Sequence, residues 1–215
     1  EEANGQWYVF YHRQTDRGSF SRQACAEKIF FDSQGRIRQA EITSCGLNDG
    51  PLAGEGVYPA NICCHLSQGG KTTFSHPMAM GENFPYLTQD EKDITPEDVG
   101  FPESARRDAA FPVQFVRNFK DQSIMGFKYF DCRGLKRAGL TLRGKAEGTI
   151  VVSTVPLTAE NSDPAAVIGE ISVDVNTEQW TTVSGEVNLA DGVWALYFTG
   201  KGLTGPLDIA QIELG

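Results

Sequence analysis

Apolar side chains occupy both phases of the stretch Gln6–His12. Trp7, Val9 and Tyr11 fall on one face of a strand, and Tyr8, Phe10 and His12 on the other. A strand that is apolar on both faces has to be covered on both. Stacked blades of a β-propeller provide that cover, whereas a sandwich strand usually keeps one face wet. The strand runs into His12 and Arg13, which point in opposite directions. His12 reads either as a hydrogen-bonded core histidine or as a pocket residue holding a water or a metal. Arg13 reads either as the partner of a local acid, Asp16 or Glu27, or as a fork of donors for sugar hydroxyls or a carboxylate.

Further along, Phe20–Asp32 and Arg36–Thr43 are predicted as a hairpin turning at Asp32-Ser33-Gln34-Gly35. Glycine and proline punctuate Gly46–Pro59. Residues 67–112 lack a clear period and are expected to be a linker and the strand that leads into a second domain. From residue 113 short apolar runs follow one another between turns: Val113–Asn118, Gly126–Asp131, Gly139–Arg143, Thr149–Val155, Ile168–Val175, Thr181–Asn188, Val193–Thr199 and Leu207–Leu214. About eight short strands in roughly 100 residues predict a β-sandwich of jelly-roll type. No segment carries a convincing helical period. The expected fold class is all-β: a partial β-propeller blade over 1–66, a linker over 67–112 and a β-sandwich over 113–215.

Composition sharpens this reading in three places. In 215 residues, 40% hydrophobic, the 23 Gly and 10 Pro scattered among short apolar runs fit a turn-rich β protein with a core. The net charge of −9 argues against nucleic acid as a partner, because phosphate binding needs a basic face. No apolar run approaches the ~20 residues a membrane helix needs, so no membrane partner is expected. The cysteines, Cys25, Cys45, Cys63, Cys64 and Cys132, are odd in number and irregularly spaced, which argues against a disulfide framework. On a strand only Cys63 and His65 of Cys63-Cys64-His65 would share a face, and no second ligand pair follows at zinc spacing. These are expected to be ordinary buried thiols. Unpaired thiols favour the cytoplasm and a substrate outside the cell would favour secretion, so localisation stays open.

The run GQWYVFYHR, then FSRQACAEKIFF, then GRIRQAEITSCGL, resembles glycoside hydrolase family 43, and within it the last blade of arabinofuranosidases and xylosidases acting on arabinoxylan. PYLTQD, GFKYFDC and GVWALYFTGKGLTGPLDIAQIEL resemble the appended sandwich of such enzymes, which is similar to carbohydrate-binding module family 6. The first likeness covers roughly residues 5–66 and the second roughly 84–214. The resemblance implies a propeller whose inverting chemistry uses three carboxylates on earlier blades, the base and acid standing about 6.5–9.5 Å apart with a water between them. No acid within Gly5–Leu66 sits in a matching motif, Glu27 included, so no catalytic residue is expected here. The parent's activity would be hydrolysis of arabinoxylan or xylo-oligosaccharides, with His12 and Arg13 as its substrate-side residues. The alternative is a non-catalytic carbohydrate-binding or structural module.

For the sandwich, the resemblance makes Trp180 the structural tryptophan of its motif, with Thr177 standing where a loop aromatic is expected. Asp208 matches an acid or amide that touches sugar or a structural calcium, the one cofactor implied. Tyr129 is a candidate platform or core residue, and Trp194 is expected in the core. The implied partner is a β-glycan or arabinoxylan-type carbohydrate. A lone partial blade exposes two apolar faces and open edges. It is therefore expected to dock on the sandwich, on a second copy of the chain or on the remaining propeller blades.

Overall fold

The structure, a computed structural model, describes residues 2–3, 5–16, 22–72, 83–89 and 113–215. Among these residues it is all-β, broken only by two single 3-10 turns at Ala60–Ile62 and Pro164–Ala166. In chain order the strands are β1 (Glu2–Ala3), β2 (Gln6–Gln14), β3 (Arg22–Ile29), β4 (Leu52–Ala53), β5 (Gly56–Pro59), β6 (His65–Gln68), β7 (Tyr86–Gln89), β8 (Gln114–Phe119), β9 (Ser123–Cys132), β10 (Arg137–Ser153), β11 (Val167–Glu186), β12 (Gly192–Lys201) and β13 (Leu207–Leu214).

β1, β2 and β3 make a separate three-stranded antiparallel sheet, with Tyr11 opposite Cys25 and Arg13 opposite Gln23. The partner of β3 is therefore β2, not the stretch after the Asp32 turn. That turn does form, with the Asp32 N–H donating to the Arg36 carbonyl at 2.9 Å. Beyond it, pairing shrinks to a single bridge between Phe31 and Ile37.

The sandwich is built around two long strands that the sequence had split. Gly139–Arg143 and Thr149–Val155 are one strand, β10, and Ile168–Val175 and Thr181–Asn188 are one strand, β11. They pair along almost their whole length, from Arg137–Glu186 to Ser153–Val167. The first half of β10 also pairs with β13 and the second half with β12, so the β10–β11 ribbon belongs to both faces of the sandwich. The register slips between Leu142 and Gly144, where the ribbon bends. Inside lie Phe119, Phe127, Phe198, Met125, Leu140, Ile150, Leu196 and Ile212, all fully buried. Each such side chain contributes about 1.5–3 kcal/mol of burial free energy. Phe127 stands edge-on to Phe198 with ring centroids 6.0 Å apart.

The strands of residues 52–68 extend this same sheet. β4 and β6 add to β9, and β5 adds to β13. Between them Ala60 and Cys63 are fully buried in the sandwich core, and Tyr58 packs edge-on against Phe130 at 5.1 Å. β7, within the expected linker, continues the sheet beside β8. Residues 73–82 and 90–112 of that linker, including the acidic runs after Gln89, lie outside the described residues.

The hairpin sheet docks on this sandwich through Tyr11, Arg13, Gln23 and Glu27, which share one face. Arg13 donates from Nε to Gln23 Oε1 at 2.8 Å, from Nη1 to the Cys63 carbonyl at 2.5 Å, and from Nη2 to the Asn61 carbonyl. It pairs with backbone carbonyls of the sandwich rather than with Asp16 or Glu27. Glu27 is buried and serves another tie: Tyr11 Oη (3.0 Å), the Thr43 N–H (2.9 Å) and Thr43 Oγ1 (2.7 Å) all donate to it. Ser44 then joins the sandwich, its N–H donating to the Lys128 carbonyl at 2.5 Å. At the far end of β2, the Asp16 N–H donates to the Leu87 carbonyl at 2.7 Å. His12, on the opposite face, is exposed rather than a core histidine. Of the apolar residues of β2, Tyr8 is buried, while Trp7, Val9 and Phe10 are 44%, 39% and 52% exposed.

The five cysteines are free thiols. Burial pushes Cys64 up to about 11, far from a reactive thiolate. Among the described residues no group of His, Cys, Asp and Glu is arranged to hold a metal ion. His65 instead bonds Ser67 Oγ at 2.9 Å and meets the Tyr197 ring edge-on at 5.9 Å. That ring fits because residue 126 is glycine: a Cβ there would lie 2.4 Å from Tyr197 Cε1.

Replacing Arg13 by Met removes three charge-assisted bonds, takes the guanidinium donor from the Cys63 carbonyl and leaves the Asn61 carbonyl with Gln23 Nε2 at 3.3 Å. The expected loss is about 2–3 kcal/mol in chemical denaturation, with amide exchange accelerating in β2 and β3 before the sandwich. His65 gives a pH signature. Burial, and secondarily Lys128, lower its pKa below the usual value. The unfolded chain therefore takes up a proton first, and stability falls as pH drops below about 6.5 towards the folded-state pKa. His65→Gln should flatten that slope in denaturation curves collected between pH 7 and 5.

Candidate functional site

At one end of the sandwich β8, β10, β11 and β13 frame a cleft of about 880 Å³, lined by Tyr86, Arg117, Asn118, Arg143, Gln179 and Asp208 among others. Its shape follows from the bend in β10. Gly144 has φ +137°, and a Cβ there would meet the Pro206 carbonyl at 2.8 Å, so only glycine lets β13 approach this closely. The bend aims Arg143 at the cleft. Its guanidinium lies 4.3 Å from the Trp180 ring centre and 5.0 Å from that of Phe115, and its Nη2 is 3.1 Å from Asp208 Oδ2. Arg117 stacks on Phe115 at 4.9 Å and approaches Asp208 Oδ1 at 3.4 Å. The sequence brings these groups together from four strands, each presenting alternate residues to the same end.

Trp180 and Asp208, both singled out from the sequence, thus sit in one cluster, but neither as a free binding group. The Trp180 ring carries Arg143 on its face and Phe115 at its edge, 5.3 Å away, so it is structural, as its motif implies. Asp208 has a guanidinium on each carboxylate oxygen. A calcium ion would have to displace both cations, so the residues present do not fit calcium at Asp208. Thr177, in place of a loop aromatic, accepts the Gln179 N–H at 3.0 Å and shapes the turn.

Tyr129 lies elsewhere, against the hairpin unit, where its hydroxyl reaches the two Glu41 oxygens at 3.0 and 3.1 Å. His12 and Arg13 are not among the residues that line the cleft, and Arg13 is committed to the sandwich backbone. Trp194 is half-buried at the core edge, donating from Nε1 to the Ala190 carbonyl at 2.8 Å. Sequence reasoning missed Arg117 and Arg143. Their only signal is a basic residue at an inward position of an apolar strand, Arg143 being followed at once by the bend glycine.

Chemically the cleft offers planar guanidinium and amide donors, carboxylate and carbonyl acceptors, and the Tyr86 ring. Arg117 and Arg143 are balanced by Asp208 and Glu178. Such a lining suits a neutral, hydroxyl-rich ligand better than an ion.

No family model matches the chain. It is 40% identical over 203 residues to a xylosidase/arabinosidase of Thermoclostridium stercorarium, a match covering 94% of this chain and 38% of that protein. The chain therefore spans well under half the length of this relative. Among solved structures it resembles a glycoside hydrolase family 43 arabinoxylan arabinofuranohydrolase from Bacillus subtilis, crystallised with cellotetraose (TM-score 0.53, 18% identity, 98% of this chain and 39% of that one). It also resembles CsCBM6-3 of Clostridium stercorarium, solved with cellobiose (TM-score 0.50, 10% identity, 78% of this chain and 98% of that one). The structural likenesses establish the fold, and the sequence likeness is to part of a xylosidase/arabinosidase. That fold is a small blade-like sheet joined to a family 6-type β-sandwich, as in the family 43 structure.

Asp208→Ala should leave two stacked guanidinium groups without their carboxylate and cost about 1–3 kcal/mol in urea denaturation. Melting should be the same with millimolar calcium as with chelator. A calcium-dependent rise that Asp208→Ala abolishes would contradict this account of the site.

Proposed function

We propose that this chain is the non-catalytic C-terminal part of a plant-polysaccharide glycoside hydrolase, of the arabinoxylan or xylo-oligosaccharide arabinofuranosidase or xylosidase type. In this role it completes the propeller and presents a carbohydrate-facing sandwich. The observation that carries the reading is the 40% identity to a xylosidase/arabinosidase along 94% of the chain. Two structural features support it. The hairpin sheet leaves Trp7 and Val9 exposed on one face and Phe10 on the other, apolar surface suited to cover by neighbouring blades. The sandwich cleft is charge-balanced and lined by Tyr86 and polar side chains around Asp208, a lining suited to sugar hydroxyls. Hydrolysis needs a carboxylate base and acid placed about a glycosidic bond. In the cleft Asp208 is engaged by two arginines, and in the hairpin Glu27 is engaged by Tyr11 and Thr43.

A second reading is a purely structural brace for the propeller, favoured by the covered Trp180 ring. Affinity electrophoresis in arabinoxylan and xylan gels separates the two. Retardation of the chain, reduced in Tyr86→Ala, supports carbohydrate binding; mobility unchanged in every β-glycan gel leaves the brace. In the same preparations, turnover of aryl arabinofuranosides and xylosides should not exceed the blank. Turnover clearly above it would overturn the non-catalytic assignment.

A further inference from the structure

A second groove, of about 430 Å³, lies where the hairpin unit meets the sandwich, lined by Lys28, Phe30, Arg38, Glu41, Asn48 and Tyr129 among others. None of these residues lines the Asp208 cleft. The volume falls within the ~300–1,000 Å³ usual for small-ligand sites. Phe30 is the conspicuous member. It follows β3 directly, its side chain is 56% exposed, and Lys28 Nζ lies 5.6 Å from its ring centre.

The walls around Phe30 are fixed by bonds already described or close by. Tyr129 and Lys128 both hold Glu41, the latter at 2.8 Å. Thr43 is pinned to Glu27, and Asn48 Nδ2 donates to the Gly50 and Pro51 carbonyls at 2.9 and 3.2 Å. The Arg38 N–H donates to the Phe30 carbonyl at 2.8 Å, which sets the exposed Arg38 beside the ring. The groove is therefore preformed rather than a gap between loose elements. Its charges also cancel: Lys28, Lys128 and Arg38 against Glu27, Glu41 and Asp49, with Lys28 and Asp49 joined at 2.7 Å. Nothing in that balance selects an anion or a cation. An exposed aromatic ring flanked by neutral and mutually compensated polar groups is the chemistry of a sugar platform.

We propose that this groove is a second glycan-binding site, taking a neutral polysaccharide segment with one sugar ring laid on Phe30 and hydroxyls bonded by Arg38 and Asn48. The inference rests on the polysaccharide reading of the chain but uses none of the cleft's residues. Isothermal titration of the 215-residue chain with xylohexaose tests it, run on the Tyr86→Ala background so that the groove is measured by itself. Phe30→Ala should weaken the remaining affinity about tenfold, and Arg38→Gln several-fold, both with unchanged melting temperatures because the side chains are exposed. Equal affinity in both variants, or no saturable binding on that background, overturns the proposal. Preference for a uronic-acid-bearing xylan fragment over the neutral one overturns its ligand class. Loss of all binding in Tyr86→Ala alone leaves the cleft reading standing and removes the groove. Binding that Phe30→Ala weakens, while Tyr86→Ala leaves it intact, does the reverse.

Discussion

The Arg13 guanidinium reaches across to the carbonyls of Asn61 and Cys63 while Gln23, on the neighbouring strand, holds its Nε. Those carbonyls belong to the 3-10 turn at Ala60–Ile62 and its exit, whose residues Ala60 and Cys63 are fully buried in the sandwich core. The hairpin is thus anchored to a segment that cannot move without opening the core. Glu27 ties in Thr43, and Ser44 next to it joins Lys128. Each bond to a charged group is worth about 1.5–3 kcal/mol, and leaving a buried partner unmet costs a similar amount. A small three-stranded sheet with little core of its own needs such an anchor, since an isolated hairpin is marginal in water.

This network explains why the most distinctive motif of the chain reads as it does. Tyr11, Arg13, Gln23 and Glu27 are polar residues in strands that otherwise look buried, and Thr43 lies in the irregular segment after the Asp32 turn. Their roles are to bond one another and the backbone of the sandwich. His12, one residue away, faces the other side and takes no part in it. The polar end of the β2 strand is thus a docking feature for Arg13. The choice made from sequence, between a local acid and a sugar, left out a third kind of partner. Backbone carbonyls accept hydrogen bonds from any sequence, so they leave no residue-type signal to read.

The legibility of the fold follows the same logic. Period-two apolar runs located β8 and β13 almost residue for residue, and the middle of β9 and β12. The β10–β11 ribbon was cut in two because Gly144, Gly148 and the Asn176–Gln179 stretch look like turns. In the folded chain they are bends and a bulge within continuous strands. Residues 52–68 look like the end of the first unit, because the partners that place them in the sandwich, β9 and β13, come far later in the sequence. In the cleft, Trp180 and Asp208 were legible as types. The two arginines that occupy them were not, since the pairing depends on the bend that brings β10 and β13 together.

Rigid docking of the hairpin has a consequence for recognition. The cleft on the sandwich and the groove beside Phe30 are held by one bonded framework, so their separation is constant. Both are charge-balanced, so neither gains from long-range attraction, and the excess acid of the chain has to be borne elsewhere. Two modest neutral sites on a rigid body distinguish a polymer from its fragments by geometry. A chain long enough to reach both engages the second at high effective concentration, while a short oligosaccharide meets each site independently. Loosening the Arg13 anchor would erase that difference without altering a residue of either site.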